Sequence, residues 1–158
     1  MKKSLLLLLI CLLAPLSQAE EARPSAIEFR LVTTNGAPDS EPIMIPGTTR
    51  DGQPTADKVP VLKKPVLDGS AVRSAKVGKD TLGKPQILIK FTDAGSKQFA
   101  EITREHVREQ LAIVVDGKAL SAPHILSEIT GGECVITGSF SAEEAEDLAK
   151  KINAAAKK

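Results

Sequence analysis

The chain has no tryptophan and no tyrosine, and four phenylalanines (Phe29, Phe91, Phe99 and Phe140) are its only aromatics in 158 residues. Stacking platforms for bases or sugars therefore have little to be built from. It has no strong charge of either sign: 21 lysines and arginines stand against 20 acidic residues, a formal net charge of +1. That balance lacks the basic footprint of a nucleic-acid binder. Two cysteines, Cys11 and Cys134, and two histidines, His106 and His124, are too few and too scattered for a disulfide framework or a zinc site.

Long apolar runs are also missing, except at the start. Lys2 and Lys3 precede an unbroken apolar stretch from Leu5 to Leu13, and Ser17-Gln18-Ala19 puts small residues at the −3 and −1 positions of a cleavage site. The run is too short for a bilayer, which takes about 20 residues. Bulky Ile10 stands where a lipoprotein signal wants a small residue before Cys11. The expectation is a signal peptide over residues 1–19, cleaved after Ala19, and a soluble exported chain without a membrane span. Losing the leader turns the charge balance slightly negative and leaves Cys134 as the only thiol, so no disulfide forms within the chain. Its strand-like surroundings, "ECVITGSF", predict a buried thiol rather than a reactive one.

Alternation in "AIEFRLV" predicts a half-buried strand over 26–32. From 35 to 60 the chain turns polar, with Pro38, Pro42, Pro46, Pro54, Pro60 and three glycines, and no period survives; this reads as a long surface loop. Extended structure resumes at "VLKKPVL", over 71–78, and in "PQILIKF", where Ile87, Ile89 and Phe91 share a face. Thr92 and Asp93 cap a helix running to about Thr103. "LAIVV" reads as a central strand, followed by extended pieces over 119–122 and 125–129. A turn at Gly131-Gly132 then leads into a strand over 133–138. Ser141 and Glu144 form a capping box for a last helix whose Ala145, Leu148, Ala149 and Ile152 line one face. The order predicts an α+β fold, a mainly antiparallel sheet with two helices packed on one face. Residues 20–60 would be an N-terminal strand and loop, and residues 61–158 the α+β domain.

Chemistry has few candidates. Asp116, Lys118 and Ser121 crowd into "VVDGKALSAP", but Asp116-Gly117 after an apolar run is a hairpin signal. On a strand, a spacing of three sends Lys118 and Ser121 to opposite faces, which defeats a Ser–Lys dyad. His106 sits among charged residues at a helix end, and His124 follows Pro123 in a loop, with no partner implied for either. Glu143 and Glu144 are adjacent on a helix and point about 100° apart. The glycines of "TGGECVITG" do not follow a phosphate-binding pattern. The residues therefore assign no catalytic, metal or cofactor site, and favour binding through edge strands.

In order, the stretches "EFRLV" (28–32), "RDGQP" (50–54), "KKPVLDGSAVRSAKV" (63–77) and "FTDAGSKQFAEIT" (91–103) look familiar. So do "LAIVVDGKALSAPHI" (111–125) and "ITGGECVITGSFSAEEAEDLAKKI" (129–152). Together they resemble the head portion of the first periplasmic domain of SecD, in the SecDF protein-export accessory family. The resemblance implies a periplasmic domain that engages emerging preprotein beside SecF and the SecYEG channel, with no catalytic residues and no cofactor. In that family membrane helices couple the head to the proton gradient; none is read here, so the expectation is a stand-alone, non-catalytic polypeptide-binding module that assists or modulates translocation. Two other readings are an inhibitor or immunity-type module that binds one specific envelope or secreted protein, and a small hydrolase built on Ser121 or His124.

Overall fold

Residues 27–34, 37–48, 51 and 53–156 are described by a computed structural model, and the leader expected over 1–19 lies outside them. Along them run β1 (Ile27–Leu31), β2 (Ser40–Thr48), β3 (Pro54–Leu62), β4 (Leu67–Asp68), β5 (Val72–Lys79) and β6 (Pro85–Phe91). Then come α1 (Asp93–Glu105), β7 (Leu111–Val115), β8 (Lys118–Ser121), β9 (Glu133–Ile136) and α2 (Ala142–Ala156). All named strand pairs are antiparallel. A four-stranded sheet has the order β4-β1-β7-β8, a three-stranded sheet the order β5-β6-β9, and β2 and β3 form a ribbon of their own. This is the expected α+β class, with the strands shared among three sheets.

The main core lies between the two larger sheets. Ile27, Phe29 and Leu31 of β1 pair with Val115, Ile113 and Leu111 of β7, so all six side chains share one face, and all are buried. Ile87, Ile89 and Phe91 of β6 supply the opposing layer, again at period two. Phe29, Phe91 and Phe99 of α1 meet in the middle with ring centroids 5.8, 5.7 and 4.6 Å apart, all tilted. Such pairs add about 0.5–1.5 kcal/mol beyond the area they bury.

The segment expected to be a long loop is mostly the β2–β3 ribbon, and its prolines explain how. The Lys63 amide donates to the Asp39 carbonyl at 2.8 Å, so by register the odd-numbered residues of the ribbon exchange the ladder hydrogen bonds. Pro42, Pro46 and Pro60, with Pro54 by the same register, all fall on even positions, where the missing N–H would have pointed outward. The prolines erase the apolar alternation that announces a strand without removing any ladder bond. The ribbon lies against the second face of the four-stranded sheet, where Val61 and the outward-turned Ala112, Val114 and Ala119 are buried. Arg30 anchors it there, bonded to Glu28 at 2.6 Å and to Glu41 of β2. Burial works against the Arg30 charge, and the hydrogen bonds it donates to the Glu28 and Glu41 carboxylates outweigh it, raising its pKa.

Local chemistry sets the helices. The Thr92 hydroxyl accepts from the Gly95 amide at 3.0 Å, capping α1. A Cβ on Gly95 would lie 2.3 Å from the Ala71 carbonyl oxygen, so glycine lets α1 rest on the 3-10 turn Gly69–Ala71. The capping box of α2 is present as expected: Ser141 N donates to Glu144 at 2.7 Å, and Glu144 N to the Ser141 hydroxyl at 3.1 Å. Ala145, Ala149 and Ile152 are buried, and Leu148 packs beside them. From the last turn of α2, Asn153 receives the Ala75 N–H and donates to the Ala75 carbonyl, each at 2.8 Å. One side-chain amide thus occupies the centre of the outer edge of β5.

Phe29→Ala is expected to lower stability by about 3–5 kcal/mol, and Asn153→Ala by about 1–3 kcal/mol because it strands both backbone groups of Ala75. Urea unfolding followed by circular dichroism measures both; a neutral Asn153→Ala would mean that the clamp contributes nothing.

Candidate functional site

Where β8 ends, the chain does not continue as the strand expected over 125–129. It forms an irregular wall, tied down at intervals. The Leu111 amide donates to the Pro123 carbonyl at 3.0 Å, the Arg108 amide to the Ile125 carbonyl and the Ile125 amide to the Glu109 carbonyl, the last two at 2.8 Å. Further on, the Ile129 amide donates to the Thr103 hydroxyl at 2.9 Å. That hydroxyl is fully buried and itself donates to the Phe99 carbonyl at 2.8 Å within α1. Between these ties, Leu126 is 86% exposed.

Opposite this wall stands β9, and between them opens a groove of about 420 Å³. Its floor is Phe29, Phe99, Leu111 and Ile113; its sides are Pro123 to Ser127 with Ile129, and Glu133, Cys134 and Val135. Val135 on the rim is 50% exposed and Ile129 37% exposed, an unusual density of bare apolar side chains for one patch.

β9 is also an open edge. The Phe91 amide donates to the Gly132 carbonyl at 2.9 Å, which makes Cys134 and Ile136 the residues whose backbone bonds face β6. The N–H and C=O groups of Glu133 and Val135 point the other way, and among the described residues nothing pairs with them. Cys134 faces the core beside Ile89, and burial pushes its thiol up to about 12 from 9.0.

The residues singled out for possible chemistry are dispersed. Asp116 (φ 49°) and Gly117 (φ 74°) turn the chain between β7 and β8, and the Asp116 carboxylate pairs with Lys151 of α2 at 2.7 Å. Lys118 and Ser121 were expected on opposite faces, yet a bulge at Leu120 restores the parity. Lys118 pairs with Val115 and Ser121 with Ile113, which places both on one side, with no hydrogen bond between them among the described residues. His106 contacts Glu109 at 3.0 Å, whereas His124 lies 3.4 Å from the Arg108 carbonyl, each with its own neighbour. Glu144 is engaged in the cap of α2. No cluster of three or more metal-binding side chains occurs among the described residues. Sequence reasoning pointed to edge strands in general, but not to the groove, because its floor comes from three separated segments, β1, α1 and β7. The trace it did leave is Leu126 and Ile129, apolar residues just ahead of the Gly131-Gly132 turn.

The fold and groove define an α+β domain with an apolar cleft beside the open edge of a strand. A family model for the SecDF P1 head subdomain matches residues 45–156, and the chain belongs to that family. The protein translocase subunit SecD of Magnetococcus marinus is 35% identical over 144 residues, which cover 85% of this chain and 27% of that protein. The SecD subunit of Sebaldella termitidis is 52% identical over 91 residues, covering 58% of this chain and 22% of that one. The chain thus spans about a quarter of the length of these relatives. A solved structure described as that of a membrane component SecDF that enhances protein export superposes with a TM-score of 0.63 at 27% identity, covering 83% of this chain and 63% of the other. SecDF in a super-membrane-facing form gives 0.62 at 31% identity, over 82% of this chain and 18% of the other. No helix among the described residues is long and apolar enough to cross a membrane.

The shifted thiol makes two expectations. At pH 8 the native protein should react with a disulfide reagent far more slowly than the urea-unfolded chain. Because the folded pKa is the higher one, the thiol's contribution to stability is fully present below pH 9 and is lost as pH rises toward about 12; comparing wild type with Cys134→Ala across that window measures it.

Proposed function

We propose that this chain is a periplasmic, non-catalytic module that holds extended, apolar polypeptide during translocation, in company with Sec components. The observation that carries the reading is the groove between the 123–129 wall and β9, with Leu126, Ile129 and Val135 bare at its rim. Unfolded chains in transit expose apolar side chains; a folded globular partner has buried most of its own. A groove that is apolar, open along its length and poor in fixed polar contacts suits many sequences weakly rather than one sequence tightly. Membership in the SecDF P1 head family supports the translocation setting, and the leader-like residues 1–19 support export. The non-catalytic part of the reading is supported by the separate engagements of Asp116, His106 and His124.

Leu126→Glu and Val135→Glu are each expected to weaken binding of an unstructured peptide of alternating leucine and serine about tenfold, by removing apolar contact and adding a charge that must be desolvated. Fluorescence anisotropy of the labelled peptide reads the affinity, and both sites are exposed enough to leave the melting temperature unchanged. Failure of the wild-type protein to bind the peptide, or its capture of one folded partner alone, would overturn the proposal.

A further inference from the structure

The strand edges of this domain are not treated alike. Both rims of the β2–β3 ribbon carry proline where an outward N–H would stand. The centre of the β5 edge is filled by the Asn153 amide, β4 is only two residues long, and β8 is broken by its bulge at Leu120. These are the usual devices against unwanted strand pairing. β9 has none of them. Its outward N–H and C=O groups at Glu133 and Val135 are bare among the described residues, and they stand at the lip of the apolar groove.

We infer that polypeptide binds here by adding a strand to β9, its backbone bonding to Glu133 and Val135 while alternate side chains enter the groove. The inference rests on the polypeptide-binding reading and specifies its mode. Backbone recognition is blind to sequence, and alternation lets every second side chain reach the floor formed by Phe99 and Ile113. Two outward residues can hold only a short segment, so binding is weak and quickly reversed, as a chain in transit requires. A purely side-chain grip would leave the edge groups of β9 unused and would not depend on which amides of the guest are free.

The test uses the full chain and the leucine–serine peptide in three forms: unmodified, N-methylated at every leucine, and N-methylated at every serine. One methylated peptide should lose about tenfold or more in affinity while the other keeps most of it, since only one set of amides faces β9. In parallel, Val135→Pro should weaken the unmodified peptide about tenfold relative to Val135→Thr, which keeps the N–H; proline is tolerated at an edge position of this kind. Peptide should also slow hydrogen exchange of the Val135 amide. Equal effects of the two methylations, or equal affinity of the two Val135 variants, would overturn strand addition and leave the groove reading standing. If the unmodified peptide does not bind, both fall.

Discussion

Three phenylalanine rings hold the two larger sheets and the first helix in one arrangement. Phe29 stands on an inner strand of one sheet, Phe91 at the end of the central strand of the other, and Phe99 on the buried stripe of α1. In a chain without tryptophan or tyrosine, no other side chains of this size link those elements, apart from Phe140, which packs at the periphery. The groove is built on this junction. Phe29 and Phe99 are its floor, and the last turn of α1 carries the Thr103 hydroxyl that holds its far wall.

The second constraint is the accounting of backbone hydrogen bonds. Short antiparallel sheets expose many edges, and each exposed edge invites pairing with another chain. Proline, a side-chain amide, brevity and a bulge each silence one of these edges. Polar groups inside the fold are treated as strictly: Glu28 and Thr103 are the buried polar residues among those described, and each is bonded. Against that background an edge left open next to an apolar cleft stands apart, which is why its position says more than its sequence does.

Much of the fold was legible in the sequence because short-range signals agreed with the final packing. Alternation in "PQILIKF", the all-apolar "LAIVV", the Thr92 cap and the Ser141–Glu144 box each have one physical reading, and each is realised. The ribbon was illegible because parity, rather than composition, decides whether proline ends a strand, and parity is known only once the partner is known. The facing of Lys118 and Ser121 was misjudged for a related reason: one unpaired residue at Leu120 inverts every later position. The groove escaped altogether, since Phe29, Phe99, Leu111 and Ile113 are ordinary core residues until the wall over them stops short.

Thr103 has a bearing on how such a domain changes over time. Its hydroxyl ties α1 to the wall at the Ile129 amide, while Leu126 and Val135 stand elsewhere on the rim. The spacing of the wall is thereby set from a helix, by a buried residue distinct from the exposed side chains of the rim. A substitution at buried Thr103 thus bears on the bore, and one at exposed Leu126 or Val135 on the preference, through different atoms.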